Sequence, residues 1–195
     1  MKNLKKVLFV VVFILIAFVS GMFFANKQTE PEITSTLIQN RIEQASDLVT
    51  TKYHYAKVGK FENSLSLNGW SIPLTNKYFI LTFEGEIQLG TDLCKANVEI
   101  NDSTIYATVN KPTVLSNSID ESSIEVYDET KNIFNPISVS DYKAFAVEQK
   151  EKALSEAKKK GLMKTAQKNT EKSIKEIISI IPDTDDYTIE VTFKE

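Results

Sequence analysis

Few side chains in this sequence are suited to chemistry, and their spacing keeps them apart. His54 is the only histidine and Cys94 the only cysteine among 195 residues. A nucleophilic Cys/His pair needs both groups within hydrogen-bond reach and an acid to orient the imidazole. His54 lies between Tyr53 and Tyr55 in a strand-like stretch, and Cys94 sits in the turn-like Asp92-Leu93-Cys94-Lys95. They read as a surface-strand histidine, on one face with Lys52 and Ala56, and a small unreactive thiol. One Cys and one His cannot supply the ligands of a Cys/His zinc site, and a single Cys forms no intrachain disulfide. Glu84 and Glu86 are two apart on a strand, hence on one face and about 7 Å apart, a spacing that resembles a glycosidase carboxylate pair. Because Phe83, Ile87 and Leu89 alternate with them, the glutamates are expected to face water. Asp183-Thr184-Asp185-Asp186 looks like the start of a calcium loop, but Thr188 stands where the loop needs Gly and Lys194 where it needs Glu. It reads as a polar turn. P-loop, GxGxxG, GxSxG and HExxH patterns are absent, and six glycines are too few for a Gly-rich phosphate cradle. No catalytic, cofactor-binding or metal-binding residue is nominated, and no cofactor is expected.

The elements that would position these groups follow from periodicity. Ile38, Ile42, Ala45 and Val49 recur on one helical face after a cap at Thr34 or Ser35. The other face (Gln39, Asn40, Glu43, Gln44, Asp47) is not basic, so this helix is expected to dock on its own domain rather than on lipid. From Val49 to Phe61 the period becomes two, which predicts a long strand. Asn63 to Asn76 reads as an irregular excursion. Tyr78 to Leu89 (YFILTFEGEIQL) is the clearest strand, with Gly85 marking a bulge or bend, and Gly90-Thr91-Asp92 turns the chain. Asn97–Ile100 and Thr104–Val109 flank the hairpin turn Asn101-Asp102-Ser103, and Ser123–Tyr127 is another short strand. Ser140 or Asp141 starts a helical stretch that runs to Ile181, interrupted by Gly161 after three lysines and closed by Pro182. Two helices, 141–160 and 162–181, follow, as a hairpin or as one kinked rod. Ala153, Ala157 and Gly161 form a small-residue stripe for close packing, and the lysines of this region read as a solvated face. Tyr187–Phe193 is the last strand, returning to the same sheet. Strands joined by short turns pair antiparallel. The fold class is therefore α+β, a mainly antiparallel β-sheet covered by amphipathic helices.

Val7 to Ala25 is 19 residues without a charge. Its length suits a transmembrane helix better than a signal-peptide core, and the bulky Met22-Phe23-Phe24 fits poorly with cleavage. Lys2, Lys5 and Lys6 precede it, which places residues 1–6 in the cytoplasm and the rest outside. The expected organisation is a cytoplasmic N-terminus (1–6), a transmembrane anchor (7–25), a linker (26–32) and one extracytoplasmic α+β domain (33–195). The chain carries −3 overall, and the three N-terminal lysines leave −6 for the remainder. A mildly acidic domain gives no electrostatic reason to bind nucleic acid. The stretch from Ser140 to Ile180 is the exception, with ten lysines against six acids.

Several short motifs stand out: Ser46-Asp47-Leu48-Val49-Thr50, Tyr53, Lys57-Val58, Phe83-Glu84-Gly85-Glu86-Ile87, Gly90-Thr91-Asp92-Leu93, Lys111-Pro112 and Val126-Tyr127-Asp128, followed by Ala153, Ala157, Gly161-Leu162, Ala166 and Tyr187-Thr188-Ile189-Glu190-Val191. Together they resemble the bacterial domain-of-unknown-function 4230 family. The resemblance covers nearly all of the chain beyond the apolar segment. It implies an N-terminally anchored domain and no assigned activity. The leading expectation is a single-pass protein of the cell membrane acting as a non-enzymatic interaction or structural module. Its partners would be the lipid bilayer through residues 7–25, and a protein or a second copy through helices 141–181. The alternatives are an envelope hydrolase using Glu84, Glu86 or Asp92, and an oligomeric membrane scaffold.

Overall fold

The structure is a computed structural model that describes residues 33–45 and 47–194. The expected anchor and linker (1–32) lie outside the described residues. Among those described, no helix is long and apolar enough to cross a membrane. The chain divides into two units, Met1–Thr34 and Ser35–Glu195, and the second holds the α+β fold.

In the second unit, helix α1 (Ser35–Glu43) leads into β1 (Asp47–Asn63). A small hairpin, β2 (Ser66–Leu67) and β3 (Trp70–Ser71), precedes β4 (Lys77–Asp92). A single 3-10 turn at Leu93–Lys95 then gives way to β5 (Asn97–Asn101), β6 (Thr104–Asn110) and β7 (Thr113–Glu129). Helices α2 (Val139–Lys159) and α3 (Leu162–Ser179) precede the last strand, β8 (Thr188–Lys194).

Among the described residues the strands form three sheets rather than the single one expected. β1, β4 and β7 make an antiparallel sheet with β4 in the centre. β2 and β3 pair only with each other. β5, β6 and β8 make the third sheet, in which β8 pairs parallel to β6 from Thr104↔Thr188 to Asn110↔Lys194. The last strand thus does not return to the first sheet. After α3 the chain runs alongside β6, whose inward row Ile105, Ala107 and Val109 is fully buried.

Strand β4 explains the first sheet. Phe79, Leu81, Phe83, Ile87 and Leu89 alternate along it and are all buried, joined by Tyr55, Phe145, Ala153, Ala157, Leu162 and Ala166. The small-residue stripe therefore packs α2 and α3 onto one face of this sheet, as alanine permits close approach of a helix to a strand. Gly85 marks neither a bulge nor a bend against β1, because its register with Tyr55 is unbroken. It is there because the Tyr55 ring lies where a Cβ would stand. Gly90-Thr91-Asp92 continues the strand instead of turning, since all three pair with β1. β7 is also far longer than the short strand expected, with register shifts against β4 at three places. Each bulge breaks the period of two and hides the strand from a pattern search.

Helices α2 and α3 are one kinked rod, not a hairpin. Phe145 and Gln149 lie against Gly59, Glu156 meets Lys57 at 2.7 Å, and Thr170 meets Thr50 at 2.9 Å. The helices thus march in one direction down β1. The kink is at Gly161, whose φ of 88° only glycine adopts readily. The N-cap of α2 is Ser138 rather than Ser140 or Asp141. Asp141 stands three residues later and accepts from the Ser138 backbone N–H (2.7 Å) and hydroxyl (2.8 Å). Helix α1 docks on the domain as expected, with Ile38 and Ile42 fully buried, but Val49 belongs to β1.

Candidate functional site

The residues with chemical potential fall on different parts of the fold. His54, Ala56, Glu84, Glu86, Ser118 and Asp120 line a shallow groove of about 470 Å³ on the sheet face opposite the helices. The alternation of β1 and β4 puts them there, and cross-strand pairing sets His54 beside Glu86, with Nε2 to Oε2 at 3.1 Å. The histidine is 74% exposed and Glu86 22%, so the pair is open to water on its histidine side. Asp120 has its carboxyl held below the ordinary range by hydrogen bonds from the Ser122 hydroxyl and backbone N–H. A proton donor for glycoside hydrolysis needs the opposite shift.

Asp92 does not join the glutamates. It pairs with Asp47 at the end of β4, six residues beyond Glu86 and so about 20 Å away. Its carboxylate caps the 3-10 turn by accepting from the Cys94 N–H at 2.9 Å. The exposed Cys94 thiol is pushed up by partial desolvation, then by the neighbouring Asp92, Asp47 and Glu43 carboxylates. It stays protonated and weakly nucleophilic at neutral pH. His54 pairs seven residues along β1 from Asp47, more than 20 Å from the thiol end by strand rise, so no Cys/His pair exists. The Asp183–Asp186 stretch is a turn, as its sequence suggests. Asp183 has φ 63°, and the buried Thr184 hydroxyl donates to the carbonyls of Ile178 and Ile181. Among the described residues no group of three or more His, Cys, Asp and Glu side chains is placed to hold a metal ion.

The lysines of α2 and α3 lie mostly on a solvated face, where Lys152, Lys172 and Lys175 pair with Glu148, Glu176 and Glu171 one turn away.

The region that periodicity did not reveal is the far end of the first sheet. The stretch expected to be irregular contains the β2–β3 hairpin, turned by Asn68 and Gly69 with φ of 48° and 84°. Two consecutive residues with positive φ are the mark of a two-residue hairpin turn, and Asn-Gly is its strongest sequence signal. Beside it runs the segment after β7. Asn132 Nδ2 donates to the Leu74 and Asn76 carbonyls, both at 2.9 Å, and Asn135 Nδ2 to the Thr75 carbonyl at 2.8 Å. Below this clamp Lys77 and Asp141 meet at 2.7 Å, only 9% and 11% exposed, and join β4 to the start of α2. The clamped end presents Leu67, Trp70, Leu74, Ile133 and Phe134 to solvent, and Trp70, Leu74 and Ile133 are each more than 80% exposed. Residues 63–76 and 132–140 contain no ionisable side chain, in a chain that is 25% charged.

A separate apolar cleft of about 400 Å³ lies between α2 and the β4–β7 side of the sheet, lined by Leu81, Phe83, Ile119, Ile124, Val139 and Tyr142 among others.

The family model for a protein of unknown function, DUF4230, matches residues 40–192. The chain belongs to the DUF4230 family. The match spans the whole second unit apart from most of α1 and the last residues of β8. No curated protein and no solved structure matches the chain. In this DUF4230 protein His54 and Cys94 stand apart, and the uncharged apolar end departs from an ordinary charged surface.

Proposed function

We propose that this DUF4230 protein is a single-pass membrane protein whose α+β domain lies outside the cytoplasm and works as a non-enzymatic interaction module. The observation that carries this reading is the uncharged end built from residues 63–76 and 132–140, with Trp70, Leu74 and Ile133 held in water. Large apolar side chains clustered on a surface mark interaction sites, because leaving them hydrated is unfavourable. The uncharged run at 7–25, flanked by Lys2, Lys5 and Lys6, supports the anchor and its orientation. Against the hydrolase alternative, Glu84 and Glu86 share a solvated groove while Asp92 stands at the strand end. Ala153, Ala157 and Ala166 are spent on the sheet, so self-association through 141–181 would have to use the lysine-bearing outer face.

Cys94, the only thiol and an exposed one, provides the test. A membrane-impermeant maleimide applied to intact cells at mildly alkaline pH is expected to label the full chain at Cys94, and Cys94→Ser to abolish labelling. Labelling only after the cells are broken open would overturn the outside placement.

A further inference from the structure

We infer that the uncharged end of the first sheet is a bilayer-contacting tip, which dips Leu67, Trp70, Leu74, Ile133 and Phe134 into the interfacial region of a phospholipid membrane. The inference rests on the anchored-module reading above and names the partner of its apolar end.

Three observations select a lipid surface. First, the tip carries no charge across two segments that are far apart in sequence and adjacent in space. Entry into a low-dielectric layer favours that absence, because a charged side chain there is costly. Second, many of its backbone polar groups are occupied before any contact is made. β2 pairs with β3, the Ile72 N–H donates to the Leu65 carbonyl at 2.8 Å, and the Thr75 hydroxyl both accepts from the Leu65 N–H and donates to the Ile72 carbonyl. A loop with open N–H and C=O groups would leave each of them without a partner on leaving water. Third, Leu74 is held at φ 63° with its carbonyl accepting from Asn132 Nδ2 at 2.9 Å, which fixes its side chain in water, 82% exposed. Tryptophan is also a residue that settles at headgroup depth.

The charges that flank the two segments are mixed, Glu62 and Lys77 about the first and Lys131 and Asp141 about the second. Binding is therefore carried by apolar area. It should be similar on zwitterionic and anionic vesicles and insensitive to salt, unlike attraction of a basic patch.

Trp70, the only tryptophan, reports directly on the tip. The full chain is incorporated into phosphatidylcholine vesicles with or without bromine on the acyl chains, and both flotation and Trp70 fluorescence are read. The expected result is a blue-shifted emission quenched by the brominated lipid. Leu67→Ser and Phe134→Ser should each weaken the tip's partition at least about tenfold, as removing one buried apolar side chain does, and quenching should fade. Flotation with unquenched Trp70 would leave the anchor standing and overturn the tip, as would Trp70 burial that requires an added protein. An Ile14→Lys/Ile16→Lys variant separates the two ideas. If flotation survives in it and is lost only when the tip is altered, the tip stands and the anchor reading fails.

Discussion

Removing the Asp141 carboxylate should be among the most damaging single changes in the domain. Its Oδ2 accepts from Lys77 Nζ at 2.7 Å, from the Ser138 N–H at 2.7 Å and from the Ser138 hydroxyl at 2.8 Å. Without it the buried ammonium keeps only the Pro136 carbonyl at 3.3 Å. Breaking a buried pair by deleting one partner costs about 3–5 kcal/mol, of which roughly 1 is loss of the helix cap. For Asp141→Ala we expect about 3 kcal/mol. With a urea slope of about 2 kcal/mol/M, the unfolding midpoint should fall by about 1.5 M at unchanged slope. Lys77→Met should cost less, about 2 kcal/mol, because the carboxylate keeps its Ser138 donors at a helix N-terminus. The double variant should be less destabilised than the sum by about 1–3 kcal/mol. A loss below about 1 kcal/mol in Asp141→Ala, or strict additivity in the double variant, would refute the reasoning. The pH dependence has a definite sign. Burial works to raise the Asp141 carboxyl, but hydrogen bonds from Lys77 and Ser138 outweigh it and hold the carboxyl below its ordinary range. A carboxyl depressed in the folded state contributes its stability above the unfolded value, near 3.9, and loses it as the pH falls through the lower folded value. The gap between wild type and Asp141→Asn should thus be constant near neutrality and close only in acid below about pH 4.

Three further outcomes follow from the packing and the charges. Gly85→Ala places a methyl on the Tyr55 ring and 2.6 Å from the Ser118 carbonyl; thermal unfolding should show a loss of about 2 kcal/mol, partly recovered by also making Tyr55→Leu. Asn169→Ala removes donors to the Thr50 carbonyl at 3.2 Å and Thr51 Oγ1 at 3.0 Å; denaturant titration should show a loss of about 1–2 kcal/mol, with faster hydrogen exchange where α3 meets β1. The Cys94 thiol, pushed up by desolvation and its acidic neighbours, should alkylate more slowly than free cysteine at pH 7, and Asp92→Asn should speed it.

How much of this was legible in the residues depended on whether each strand kept its period. β4 was readable because Phe79, Leu81, Phe83, Ile87 and Leu89 hold one face throughout, and the 97–110 hairpin because Asp102 takes the positive φ its turn requires. The break at Gly161 was readable from three lysines followed by glycine. β7 was not, because bulges scramble its alternation and its middle, Ser116 to Ser123, is mostly polar. The division into separate sheets was also hidden, since YTIEVTF alternates identically whichever sheet receives it. Among the candidate groups, the water-facing position of Glu84 and Glu86 could be argued from alternation, but the separation of His54 from Cys94 needed the strand register. The apolar end was missed because Asn68-Gly69 was overlooked as a turn, and because no local pattern brings 63–76 beside 132–140.

The parallel pairing of β8 with β6 also fixes the order of events when the chain folds. Thr188 meets Thr104, 84 positions earlier in the chain, and the Thr188 N–H donates to the Ser103 carbonyl at 2.8 Å. Non-local contacts of this kind are reached late, because the entropy of closing the loop must be overcome before they form. Until the last strand arrives, β6 offers a row of unpaired N–H and C=O groups above a buried Ile105-Ala107-Val109 stripe. The growing chain thus passes through a state with an adhesive open edge, and its last seven paired positions act as the latch that closes it.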